Sequence, residues 1–290
     1  MKTLTPPVVV SKPIDKRITD MFLKDNGFPL EDHLVIFAEI GSHSHGTYVP
    51  STDPDSIDDT DYMGFVIPPV DKLLGMYKFE HWVWQHEELD VVIYSLEKAM
   101  RLLLKGNPNI VGMLWLRNES YLRISDHGQH LMELREQFLS QRMYHSFIGY
   151  AHGQFDNMTS GAFRGYMGEK RKQLVERFGY DTKNASHLIR LLTMGIELTK
   201  GEGLNVYRTN DADMLMDIKK GKYTLDEIKS MAEKLFDEAE LAKETTPLPE
   251  WPDEAYMNNI LWVIHSWSIL RDIENLRNNQ WTLKNGTKDS

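Results

Sequence analysis

The chain has no cysteine in its 290 residues, which removes disulfides, thiolate nucleophiles and sulfur-ligated structural zinc together. Any metal must sit on oxygen or imidazole. A run of about 20 apolar residues, the length that crosses a bilayer, is also missing. The opening MKTLTPPVVVSKP is too short and too interrupted by proline for a signal h-region. A cytoplasmic location with no membrane partner is therefore expected. Positive charge is scarce as well: 33 Lys and Arg stand against 43 Asp and Glu, a formal net charge of −10. The chain as a whole offers no broad basic surface for gripping a nucleic acid backbone, and only a local basic patch is left to do so.

What is present is the balance of an ordinary globular protein, 41% hydrophobic and 26% charged. After a proline-punctuated arm over residues 1–15, a first amphipathic helix is expected near Asp15, with Ile18, Phe22 and Leu23 on its buried side. Leu34 to Ala38 reads as a buried strand ending at the Gly41 turn, and Tyr62 to Ile67 as a second. Phe79 to Gln85 is a third. In the fourth, Leu89, Val91 and Ile93 share one face, while Asp90, Val92 and Tyr94 share the other. From the N-cap Ser95 onward the spacing turns helical, with a Thr224…Glu227 capping box and a last helix through Trp262, Ile269 and Leu276. Strands first and helices second predict an α+β fold. Its N-terminal domain, residues 1–120, has a small mixed sheet with flanking helices, and a helical domain follows over residues 121–290.

Asp59 and Asp61 stand two apart at the entrance of a strand, so the period of two puts both carboxylates on one face. Like charges that close repel unless a cation neutralises them, and hard divalent ions prefer carboxylate oxygen. Asp90, on a strand able to lie alongside, supplies a third. Three such carboxylates can hold two ions roughly 4 Å apart, the arrangement of phosphoryl transfer. Asp53-Pro-Asp55 is a competing pair, but its central proline suits a turn better than a sheet. A solvated acidic loop is the plain alternative. Upstream, Gly41 and Gly46 permit close approach of backbone to phosphate, and Ser42 offers a hydroxyl and an amide at a helix start.

These stretches, GSHSHGT, then DDTDYMGFVIP, then ELDVVIYSLEKAMRLLLKGNPNIVGMLWL, resemble the DNA polymerase β-type nucleotidyltransferases, specifically the branch found beside RNA ligases and in phages. Downstream, GEKRKQL, YDTKNASHLIRLL, TKGEGLNVYR and DADMLMDIKKGKYTLDEI are similar to the helical half of that branch, so the resemblance spans roughly residues 34–230. The spacer from Gly46 to Asp59 is longer than is usual there. The resemblance implies that Gly41 and Ser42 hold a nucleoside triphosphate such as ATP. It makes Asp59 and Asp61 metal ligands, with Asp90 completing a catalytic triad on Mg²⁺ or its substitute Mn²⁺. The implied reaction moves a nucleoside monophosphate from an NTP to a hydroxyl and releases pyrophosphate. An RNA or tRNA end, a small molecule or a protein can be the acceptor. Two other readings stand beside it: a noncatalytic nucleotide- or RNA-binding module, and a regulatory enzyme that adds nucleotides to proteins.

Lys183, His187 and Arg190 fall at i, i+4 and i+7 of a predicted helix, a cationic stripe opposite Leu188, Leu192 and Ile196. Either the stripe is a solvated face or it meets the β- and γ-phosphates. Lys170, Arg171 and Lys172 read as surface, and His43 and His45 as loop or substrate-contact residues rather than zinc ligands. Trp82, Trp84, Trp115, Trp262 and Trp267 read as core or interface.

Overall fold

The computed structural model describes residues 10–50, 53, 58–159 and 169–285. The arm before residue 10, Pro54, Asp55 and the side chains of Lys170, Arg171 and Leu276 lie outside the described residues. The first half of the chain runs through β1 (Val10–Ser11), α1 (Lys16–Asn26), β2 (Leu34–Glu39), α2 (Gly41–His45), β3 (Thr60–Val66), α3 (Val70–Leu74), β4 (His81–His86) and β5 (Leu89–Ser95). Then come α4 (Leu96–Leu104), α5 (Pro108–Val111), β6 (Tyr121–Ile124) and α6 (Asp126–Glu133). The remainder is helical: α7 (Gln141–Thr159), α8 (Glu169–Phe178), α9 (Thr182–Thr199), α10 (Ala212–Lys219), α11 (Leu225–Glu244) and α12 (Glu254–Asn285). The expected α+β architecture, a mixed sheet followed by helices, is what the chain adopts.

The sheet has the order β1-β6-β2-β3-β5-β4, with β3 and β5 parallel and every other pairing antiparallel. Strand β6 lies past residue 120 yet joins the sheet between β1 and β2. Each face is covered separately. On one, Ile18 and Phe22 of α1 meet Phe28, Phe37, Trp82, Val91 and Ile93, and the Trp82 indole donates to Asp25 at 2.9 Å. Leu23, expected on this buried side, is 48% exposed, because the contacts of α1 follow Ile18 and Phe22, four apart on a single stripe. On the other face, Ile36, Ala38, Met63 and Phe65 join one continuous core with Leu96, Met100, Phe147, Leu188 and Leu192.

Local signals explain the helix starts. Asp15 caps α1 by accepting from the Arg17 amide, Ser95 caps α4, and Thr224 with Glu227 forms the complete capping box of α11. Strand β5 alternates buried and half-buried residues along its length, which brings Asp90 out of the core. Trp82 and Trp115 are buried, whereas Trp262 and Trp267 of α12 are 68% and 67% exposed. Among the described residues no helix is long and apolar enough to cross a membrane.

Candidate active site

The site forms where β2 ends and β3 and β5 begin. The Ile40 amide donates to the Asp61 carbonyl at 2.8 Å, so the chain leaving β2 is tied to β3 at the aspartate itself. Gly41 then turns with φ +67° into α2. A Cβ at Gly41 would stand 1.9 Å from Asp61 Oδ2, so the carboxylate rests directly on the bare glycine backbone. One strand over, Asp61 and Asp90 are register partners.

Both carboxylates line a cavity of about 410 Å³. Its other walls are Gly41, Ser44 and His45 from the α2 turn, Pro108 and Asn109 from α5, and His187, Arg190 and Met194 from α9. Of the expected cationic stripe, His187 and Arg190 therefore look into the cavity. Lys183 is off the wall, with Nζ 3.5 Å from Asp58 and its charge felt at Asp61, and the stripe is no solvated face. Asp59 precedes β3 by one residue and is half-buried; it is not part of the cavity wall, although its charge is felt at Asp61. Ser42 is likewise off the wall and 9% exposed. Ser44 takes the wall position, its Oγ donating to the Gly41 carbonyl at 2.9 Å.

Burial raises the Asp61 carboxyl to about 6 against the pull of Lys183, and the neighbouring charges of Asp90, Asp59 and Asp58 add to the rise. Across the cavity, burial lowers the Arg190 guanidinium to about 9, with Arg208 adding repulsion. Its Nη1 lies 3.5 Å from both His45 Nδ1 and Met194 Sδ, and among the described residues Arg190 has no carboxylate within ion-pair distance. Burial, with the charge of Arg190 beside it, holds His45 well below the usual imidazole range. A carboxylate wall thus faces a cation that has no ion pair among the described residues, Asp211 acting on it only from farther off.

The sequence reading passed over a second arrangement. Asp58 is buried and accepts from the Val49 amide at 2.9 Å and from Lys219 Nζ at 2.8 and 3.0 Å. Burial works against its charge, but Lys219 beside it holds its carboxyl below the usual range. Lys219 comes from the last turn of α10 and also donates to the Thr47 carbonyl at 2.7 Å. Asp53 of the competing acidic pair is bound by Lys220 at 3.2 Å. His43 stacks on Tyr48, with ring centroids 3.5 Å apart.

Among the described residues no three His, Asp or Glu side chains already stand as a metal cage. The donor set still suits a hard divalent cation. Asp61 and Asp90 share one wall, Asp59 and Asp58 lie within electrostatic reach, and the charge they crowd around a desolvated Asp61 is what such an ion relieves.

Over residues 24–262 the chain matches the RlaP family, described as the RNA repair pathway DNA polymerase beta family. The chain belongs to this family. With that, the polymerase β-type nucleotidyltransferase resemblance of GSHSHGT and its partners stands as membership. A search of curated proteins finds no match to this RlaP chain. Among solved structures, a nucleotidyltransferase-like protein from Exiguobacterium sibiricum is similar at 10% identity and a TM-score of 0.28, over 78% of this chain and 72% of that one.

Proposed function

We propose that this RlaP-family chain is a divalent-metal-dependent nucleotidyltransferase that moves a nucleoside monophosphate from an NTP to a hydroxyl, with an RNA end as acceptor. One observation carries the reading: the Asp61–Asp90 pair and Arg190, which has no ion pair among the described residues, face each other across one cavity. The volume of about 410 Å³ is in the range of small-ligand sites. Asp59, Asp61 and Asp90 would hold Mg²⁺ or Mn²⁺. When bound, the ion neutralises phosphate oxygens and lowers the cost of ionising the attacking hydroxyl.

The chain's own residues do the rest. Gly41, by lacking a Cβ, leaves room for the Asp61 carboxylate to stand on the cavity wall. Arg190 and Lys183 meet the triphosphate charge, Arg190 with a fork of donors in a site where burial strengthens each one. His187 extends the same wall. Apolar Pro108, Met113, Leu116 and Phe147 line the remainder of the cavity and exclude water. In the transfer, the acceptor oxygen bonds to the α-phosphorus and the bond to the bridging oxygen of the β-phosphate breaks. Pyrophosphate leaves with that electron pair, and the hydroxyl proton passes to the carboxylate cluster. The support for RNA as acceptor is the RNA repair description of the family. We place the boundary between catalytic and helical parts just after β6, since that strand completes the sheet.

The test incubates the protein with each of the four α-labelled NTPs, Mg²⁺ or Mn²⁺, and pooled RNA, tRNA or cell lysate. Transfer to RNA with release of pyrophosphate, lost in Asp61→Asn and Asp90→Asn, is expected. Absence of transfer from all four NTPs to any acceptor, or full activity in Asp61→Asn, overturns the proposal.

A further inference from the structure

A second recess opens at the start of α7. Lys105, Arg142, His145 and Trp251 line it, with Gln141 and Ser146 between them, around a space of about 640 Å³. The lining carries two cations and an imidazole against the single carboxylate of Glu250, beside an exposed indole, a local excess of positive side chains in a chain of net charge −10. Trp251 is 60% exposed. It is held there by the backbone: the Gln141 amide donates to the Pro249 carbonyl at 2.9 Å, and the Gln141 side chain donates to the Leu248 carbonyl at 3.0 Å. These two bonds fix the connector before α12 against the first turn of α7. The Arg142 guanidinium lies over the Trp251 ring, 5.2 Å from its centroid, and pairs with Glu254. Lys105 has no ion pair among the described residues. The positive end of α7, a helix of 19 residues, adds to the local potential.

The place of this recess decides its meaning. Ser146 lines it, and the next residue, Phe147, lines the carboxylate cavity. Lys105 lines it, and three residues on, Pro108 lines the cavity. Between Lys105 and Pro108, Asn107 donates to the Tyr150 hydroxyl at 3.1 Å and locks this corner to α7. The two sites therefore share a corner of the protein, one on each side. A flat indole with cations around it is the arrangement that takes an unpaired base and its phosphate, since stacking needs no particular base and the cations meet the backbone.

We infer that the recess of Lys105, Arg142, His145 and Trp251 is a docking site for one nucleotide of a single-stranded RNA acceptor. The strand crosses the Asn107–Tyr150 corner so that its end reaches the Asp61–Asp90 cavity. The inference rests on the proposed nucleotidyl transfer and adds where the acceptor is held. Trp251 stacks on the base, Lys105 and Arg142 meet the phosphate, and the carboxylate of Glu250 at the rim accepts from a ribose hydroxyl.

The experiment titrates a fluorescein-labelled, unstructured oligoribonucleotide by anisotropy into the full chain and into Lys105→Glu, Trp251→Ala and Trp251→Phe. NTP binding is followed separately by calorimetry with Mg²⁺. Trp251→Ala and Lys105→Glu are expected to weaken RNA binding about tenfold each, the scale of one stacked base or one phosphate contact. Trp251→Phe restores most of the affinity, Lys105→Glu lowers the salt dependence, and NTP binding stays unchanged in all three. RNA binding equal to the parent in both Trp251→Ala and Lys105→Glu overturns the inference, as does a parent chain that binds no RNA; either result with NTP transfer intact strikes the docking site alone. A parent chain that binds no NTP strikes the reading beneath it as well.

Discussion

Lys219 and Asp58 form a buried ion pair, 2.8 Å from Nζ to Oδ2, that joins the end of α10 to the residue just before the candidate metal ligands. The side chain of Asp58 is 1% exposed and that of Lys219 is 9%. Because Asp58 adjoins Asp59, and Asp61 follows two residues later, this pair sets the position in which β3 begins. The helical half of the chain thereby holds the carboxylates of the sheet half in place.

Removing one member of such a pair leaves a charge buried without its partner, which costs about 3 kcal/mol or more. Lys219→Met is accordingly expected to lower unfolding free energy on that scale, measured by urea titration, and Asp58→Asn in the same chain to recover part of it. Lys183, 3.5 Å from Asp58, keeps the loss from being larger. A Lys219→Met protein as stable as the parent contradicts this account of the pair.

Gly41 and Gly27 both have φ near +70°, but they differ in what surrounds them. A Cβ at Gly27 meets nothing within 4 Å, whereas one at Gly41 meets the Asp61 carboxylate. Both alanine variants carry the left-handed backbone penalty of roughly 1 kcal/mol. Only Gly41→Ala is expected to displace Asp61 and abolish nucleotidyl transfer. Equal activity in the two variants shows that the close approach at Gly41 does not matter to the chemistry.

Most of the sheet was legible in the sequence, because Leu34 to Ala38 is a continuous apolar run that becomes the buried strand β2, and β5 alternates, carrying Asp90 on the half-buried face that alternation assigns to it. Strand β6 was not, since Tyr121–Ile124 is four residues long and paired only through the tertiary fold. In the site, the spacing of Lys183, His187 and Arg190 revealed a stripe but not what it faces; the packing of α9 against α7, α10 and α11 decides that. The Asp58–Lys219 pair spans 161 residues, and no local pattern links its members. Asp58 was hidden in an acidic loop whose other members drew the notice, and Ser44 was passed over for Ser42 because a five-residue helix gives no face to read.

The His45 ring is held well below its usual range by burial and by Arg190, so the folded chain keeps it neutral while the unfolded chain protonates it near pH 6.5. Between the folded value and 6.5 the unfolded state binds more protons, and stability falls as pH drops below 6.5, by up to about 1.4 kcal/mol per pH unit from this group. Asp61, raised to about 6, acts in the opposite sense, since its folded form binds the proton more tightly from pH 6 down. His45→Gln is expected to flatten the decline between pH 7 and pH 6 in urea titrations without Mg²⁺. An unchanged slope means that His45 is protonated in the folded chain.

Arg190 places a desolvated positive charge in the cavity with no carboxylate at ion-pair distance among the described residues, and an anionic ligand supplies such a partner. Two consequences follow with opposite signs. Arg190→Met removes a buried cation that costs the ligand-free protein stability, so its melting temperature without NTP is expected to match or exceed that of the parent. The same substitution removes charge-assisted hydrogen bonds to phosphate worth about 1.5–3 kcal/mol, so the dissociation constant for Mg²⁺–NTP rises roughly tenfold or more. In thermal shift measurements the gain on adding NTP, which follows the ratio of ligand concentration to dissociation constant, shrinks to match. Were Arg190 an ordinary structural side chain, its loss would lower the melting temperature without ligand and leave the NTP-induced gain as it was.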